Sequence, residues 1–235
     1  MIIAFVQTKG GTGKSTLAQN IAFSRTVRKA FGSISIVEMD PQKTLHKWWQ
    51  RRQDNGHRTT NVSFTHISRT EKDIILQELE ELEKSNDFLV LDVPGESISK
   101  FHTQFACAVA DLVLIPMRTS THDEEAFEDN LLPIIKRIME VDRESRNAFY
   151  VVPSFTHPLV KRQNIIEYFH GILPDYIHCL NATFSFGTVF ENYSRSGNNL
   201  FEYADSVKAN RKLYEQAKKA INEIETIAEA IITLR

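Results

Sequence analysis

Short runs of β-branched and other apolar residues recur at positions 2–8, 33–39, 62–68, 88–93, 112–117 and 148–152, each closing on a turn former or an acidic residue. A weaker run covers 177–183. Between most of them the apolar positions open into the three-and-four spacing of amphipathic helices, at 14–31, 42–53, 70–84, 99–110, 122–141 and 161–171. Strands that are apolar almost throughout are covered on both faces. Alternating with helices, they predict a doubly wound, mostly parallel α/β sheet with helices on both faces. Such sheets bind ligands beyond the carboxyl ends of their strands. No repeat, linker or low-complexity tract divides the pattern. Residues 1–235 are therefore expected to form one domain, with 205–234 as one long C-terminal helix or two consecutive ones.

Composition narrows the function classes. The chain has 235 residues, 42% hydrophobic and 25% charged, which is enough to bury an ordinary globular core. Its net charge of −2 means that any nucleic-acid surface has to be local. Cys107 and Cys179 match neither a metal nor a CxxC spacing and read as buried thiols in a reducing compartment. The histidines show no metal-ligand spacing. No apolar run reaches membrane-spanning length, and the N-terminal one is too short for a signal peptide. A cytoplasmic protein is expected.

The first apolar run leads directly into Lys9-Gly10-Gly11-Thr12-Gly13-Lys14-Ser15-Thr16. Read from Thr8, this matches G-x-x-x-x-G-K-[ST] everywhere except at the first glycine. A strand, a glycine-rich turn and a helix in that order make a phosphate cradle. Backbone N–H groups point inward, and the helix adds the positive end of its dipole. Lys14 is placed to reach the β- and γ-phosphates, and the Ser15 hydroxyl to bind Mg²⁺. Asp40 follows the second strand. There a carboxylate can face a γ-phosphate, orient an attacking water and approach the metal. It can equally cap the next helix, with Pro41 at the first helical position. Asp92 closes Phe88-Leu89-Val90-Leu91 in the Walker B manner, placed to hold Mg²⁺ through water.

These segments resemble a known family. Lys9 to Ser15 is similar to the deviant Walker A motif of the ParA/MinD ATPases. Glu38-Met39-Asp40-Pro41-Gln42 resembles their second motif, and Leu91-Asp92-Val93-Pro94-Gly95 their Walker B. Ile115-Pro116 followed by Ser120 and Asp123, and Gly197 with Phe201-Glu202-Tyr203, resemble further ParA segments. The likeness is closest to small ParA-type partition ATPases, VirC-type relatives included. Glu38 stands where the family often has Asp, and Val93 where Thr is frequent.

The resemblance implies a P-loop fold of the deviant Walker type and a slow ATPase that uses ATP and Mg²⁺. It makes Lys9 the signature lysine, reaching the other subunit's ATP in an ATP-bound homodimer and joining Lys14 and Asp40 in catalysis. It also implies nonspecific DNA binding by that dimer, with release when a ParB-like or cargo-adaptor protein stimulates hydrolysis. Segregation or positioning of a plasmid, chromosome or other cargo would follow, with nucleoid association. The loop begins at Lys9 with no domain ahead of it in this sequence, so an operator-binding helix-turn-helix is not expected.

The family's Arg-x-x-Phe-like DNA segment reads Phe186-Gly187-Thr188-Val189-Phe190 here. The candidate DNA contacts are instead Arg195, Lys208, Arg211, Lys212, Lys218 and Lys219, loosely clustered at helical spacing and interrupted by Glu215. A solvated helix face is the alternative. The final apolar stripe carries Glu223, Glu225 and Glu229 on its polar side, which disfavours a MinD-like membrane helix. Trp48, Trp49, Arg51 and Arg52 read as a partner surface, or as one core and one half-covered tryptophan. A metabolic ATP-dependent ligase or synthetase of the same superfamily is the competing enzyme class. No second acid/base cluster for a small substrate supports it. A nitrogenase-iron-protein-like reductase lacks its cysteine ligands.

Overall fold

A computed structural model describes residues 1–57, 61–95, 100–141, 148–157, 159–185 and 187–235. β1 (Ile2–Phe5) lies between β4 (Phe88–Asp92) and β5 (Leu112–Met117). Beyond β4 come β2 (Ile34–Glu38) and the edge strand β3 (Val62–His66). Beyond β5 come β6 (Ala148–Thr156) and β7 (Ile177–Cys179), and β8 (Phe184–Ser185) pairs with the end of β6. All of these pairings are parallel, as the strand pattern predicts.

Side-chain alternation explains why the strands are apolar throughout. Along β1, Ile3 and Phe5 enter one core, while Ile2, Ala4 and Val6 enter the other. The first core is closed by α1 (Lys14–Ala22), α2 (Arg25–Ala30), α3 (Thr44–Asp54), α9 (Val189–Asn192), α10 (Leu200–Ser206) and α11 (Arg211–Thr233). The second is closed by α4 (Lys72–Ser85), α5 (Lys100–Val109), α7 (Leu132–Val141) and α8 (Arg162–Ile172). Each fully buried Ile, Leu or Phe stabilises the sandwich by about 1.5–3 kcal/mol relative to exposure.

Several predicted helices change on folding. The helix expected at 14–31 breaks at Phe23–Ser24. Ser24 caps α2, and Glu225 of α11 accepts the Arg25 and Thr26 N–H groups at 2.8 and 3.1 Å and the Ser24 hydroxyl at 2.8 Å. The helix expected at 122–141 becomes α6 (Thr121–Ala126), a π-helical stretch Phe127–Leu131, and α7. Of the 177–183 run only Ile177–Cys179 forms a strand, β7, and β8 begins just beyond it at Phe184. Position 99, the expected start of α5, and Phe186 lie outside the described residues. The tail is one long helix from Arg211, because Asp205 belongs to the end of α10.

Arg52 is not part of a surface. It is buried and paired with Glu202 through two bonds of 2.5 and 2.8 Å, with its guanidinium over Phe23 and Trp48. Trp48 is core and donates to the Asn198 carbonyl at 3.0 Å, while Trp49 is half-buried and stacks on Phe64. Among the described residues, no helix is long and apolar enough to cross a membrane.

Candidate active site

The loop after β1 bends through two left-handed glycines, Gly11 at φ 71° and Gly13 at φ 97°. Gly13 is the N-cap of α1 and supplies no side chain, so the helix's first N–H groups stay open to an anion. A Cβ on Gly13 would lie 3.1 Å from the Phe184 ring and 3.2 Å from that of Phe155. These two rings form the floor under the turn. The resulting cleft, about 400 Å³, is lined by residues 10–16 together with Asp40, Gln42, Thr44 and Gly95. Gly95 leans on the loop: a Cβ there would lie 2.5 Å from Lys14 Nζ, 3.2 Å from the Lys9 carbonyl and 3.3 Å from Gly10 Cα.

Three acids stand at the carboxyl ends of β2 and β4, and each has a different environment. Asp92 is buried, and neither carboxylate oxygen has a well-formed hydrogen bond. Burial pushes its pKa up to about 7, against the opposing pull of the neighbouring Ser15 hydroxyl and Lys14 ammonium. Lys14 is held below its ordinary value by burial, while Asp92 and Asp40 resist the shift. Glu38 is also buried and raised by burial, but its carboxylate accepts the N–H groups of Leu45 at 2.7 Å and His46 at 2.9 Å.

Glu38 therefore takes the capping role expected of Asp40. The helix begins at Thr44 rather than Pro41, and its N-cap is Lys43, left-handed at φ 57° with no side-chain cap. Asp40 turns back to accept the Gln42 N–H at 2.8 Å, with its carboxylate on the cleft.

The unsatisfied Asp92 carboxylate beside the Ser15 hydroxyl fits a hard cation. Among the described residues no three His, Cys, Asp or Glu gather as a metal cage. A Mg²⁺ here would take its remaining oxygens from water and phosphate.

Lys9 lies on the rim, about one-third exposed, and forms an ion pair with Asp123 of α6. Asp123 is fully buried. Its other contacts are the Ser120 hydroxyl at 3.3 Å and the Arg118 N–H at 3.2 Å. Arg118, one residue beyond β5, donates from Nη2 to the Gly11 carbonyl and lies 4.7 Å over the Phe155 ring. Phe155 itself is left-handed at φ 50°, within an irregular register between β6 and β8.

The sequence-predicted residues thus separate into three places. Gly10 to Thr16, Asp40 and Asp92 converge on the cleft, while Lys9 is held at its edge. The proposed DNA contacts Arg195, Lys208, Arg211, Lys212, Lys218 and Lys219 are all exposed. They do not act as a uniform set: Lys208 is paired with Asp205 at 2.9 Å, Lys218 sits over Tyr214, and Lys219 lines a separate cavity of about 180 Å³ with Glu223. The Pro94-Gly95 turn, expected from the sequence to sense the γ-phosphate, lies against the loop, whereas sequence reasoning does not find the roles of Arg118 or Phe155. The one available signal was position, since Arg118 directly follows β5, a strand that flanks β1.

Comparison with known proteins completes the picture. Residues 1–151 match the family described as ATPase MipZ. The maintenance of carboxysome distribution protein A of Halothiobacillus neapolitanus is 30% identical over 121 residues, 52% of each chain, so the match spans about half of that relative's length. Protein ParA of Rhizobium radiobacter is 24% identical over 160 residues, 68% of this chain and 67% of the relative. In the MinC:MinD cell division protein complex of Aquifex aeolicus, a chain superposes with a TM-score of 0.66 at 15% identity, covering 99% of this chain and 95% of that one. At that identity the likeness concerns the fold.

Proposed function

The chain belongs to the MipZ family of ParA/MinD ATPases, and on that premise we propose that it is an ATP-driven positioning switch. ATP and Mg²⁺ occupy the cleft, two ATP-bound copies pair, the pair binds DNA without sequence preference, and a ParB-like or cargo-adaptor protein triggers hydrolysis and release. The cargo is DNA or another large assembly.

One observation carries this reading. Lys9 sits beside its own phosphate cradle but is bound to Asp123 on the rim instead of turning into the cleft. A cation stored there is available to a second copy's nucleotide, so nucleotide and dimer stabilise each other. Within the cleft, Lys14 and the loop N–H groups neutralise the triphosphate. Ser15 and Asp92 would hold the metal, Asp92 through water. Asp40 orients the attacking water and takes up its proton. A bound metal would supply charge neutralisation on the phosphates.

Turnover and sedimentation equilibrium test the reading, with wild type beside Lys9→Ala and Asp40→Ala. DNA filter binding without nucleotide, with ADP, and with a slowly hydrolysed ATP analogue at two salt concentrations completes the set. The expectation is a dimer only with ATP, salt-sensitive DNA binding lost in Lys9→Ala, and turnover lost in Asp40→Ala. Unchanged turnover in Asp40→Ala overturns the mechanism. A monomer that binds no DNA in any nucleotide state overturns the switch.

A further inference from the structure

Asp123 is one fully buried carboxylate facing two cations. Lys9 occupies its Oδ1. The Arg118 guanidinium stands on the other side, with Nε 4.0 Å from Oδ2, too far for a hydrogen bond. That Nε is buried and has no acceptor, so its donor is unspent. The guanidinium is instead held by the Gly11 carbonyl and by the face of Phe155. The latter ring reaches it from a left-handed backbone position that strands ordinarily avoid.

This arrangement bears on how Lys9 can leave. A buried carboxylate that loses its one hydrogen-bonded cation is strongly destabilising, and the Arg118 guanidinium at 4.0 Å is too distant to replace that bond without moving. The Ser120 hydroxyl and the Arg118 N–H satisfy lone pairs of Asp123 but bring no full charge. We infer that Arg118 is the positioning residue that takes over Asp123 when Lys9 turns toward a partner's nucleotide. A shift of roughly an ångström brings Nε into hydrogen-bond range of Oδ2. The same movement draws Nη2 off Gly11, so the exchange also frees the phosphate loop to close on its ligand. The inference rests on the dimer reading above.

Sedimentation velocity with Mg²⁺ and a slowly hydrolysed ATP analogue tests it, on wild type, Arg118→Gln, Arg118→Lys, Asp123→Asn and the double variant Arg118→Gln/Asp123→Asn. Glutamine keeps a donor for the Gly11 carbonyl but carries no charge. We expect Arg118→Gln to weaken nucleotide-dependent pairing by about tenfold or more. Arg118→Lys should retain most of it. In the double variant the defect should disappear, because no carboxylate is left to abandon. An Arg118→Gln chain that pairs like wild type overturns the inference, as does a defect that persists in the double variant, which would mark Arg118 as a simple prop for Gly11. A wild-type chain that stays monomeric with nucleotide overturns the dimer reading itself, and the inference with it.

Discussion

Two buried aspartates stand near the carboxyl edge of the sheet, in opposite conditions. Asp123 has an ion pair with Lys9 and contacts from Ser120 and the Arg118 amide. Asp92 has no well-formed hydrogen bond and is pushed up to about pKa 7. A fold that only sought stability would satisfy both. The difference separates a group that holds the resting structure together from one kept ready for a ligand. The first gives up its partner only in exchange. The second destabilises the empty protein and, in the proposed function, is relieved when a cation arrives.

Removing the ready group should have the largest effect. Asp92→Asn is expected to lower Mg²⁺-dependent ATP turnover by about 100-fold. The same change should raise the stability of the nucleotide-free protein at pH 8, by on the order of a few kcal/mol. The sign follows from linkage. A carboxyl whose folded pKa, about 7, lies above its ordinary 3.8 keeps its proton longer in the fold. Stability is therefore lost as pH rises through that window. Urea denaturation between pH 4 and pH 8 should show this slope in wild type and a flatter profile in Asp92→Asn. A variant less stable than wild type at pH 8 would break the contrast.

Lys9→Ala should destabilise the resting protein by about 1–3 kcal/mol in urea, because Asp123 stays buried with fewer partners. Asp123→Asn should cost less, because Lys9 is part-exposed and can hydrate. Gly95→Ala presses a methyl against Lys14 Nζ as well as the Lys9 carbonyl and Gly10. It should weaken nucleotide binding about tenfold in a fluorescence titration, by displacing the Lys14 ammonium and tilting the loop. The smallest effect belongs to a solvated charge. Lys212→Ala should leave stability within about 0.5 kcal/mol. If the α11 face meets DNA, it should lower the salt slope of binding by about one.

What the sequence made legible follows from how far each cause reaches along the chain. Strands and the phosphate turn are set by neighbouring residues, and they appear where the pattern puts them. Asp92 could be found because it closes its own strand. The break at Ser24 could not, because the carboxylate that stabilises it comes from residue 225. Asp40 looked like a cap because Pro41 follows it. The competing cap, Glu38, works only once β2 sets it against the N–H groups of Leu45 and His46. Arg52 reads as a surface charge until Glu202 meets it across 150 positions. Arg118 gains its meaning from Gly11, 107 positions away.

The staple between Glu225 and the start of α2 has a consequence for the order of assembly. It joins residues 200 positions apart, and Ile224, Ile227 and Ile231 of the same helix complete the core around Ile21 and Val27. On a ribosome adding about 5–20 residues per second, α2 would emerge many seconds before Glu225, which staples its start, exists. Until α11 docks, that first-made layer stays open, with apolar surface that a chaperone can hold. Closing so long a loop slows folding more than it lowers stability. The nascent chain therefore cannot finish its phosphate-binding half until it has made the helix at the opposite end of its sequence.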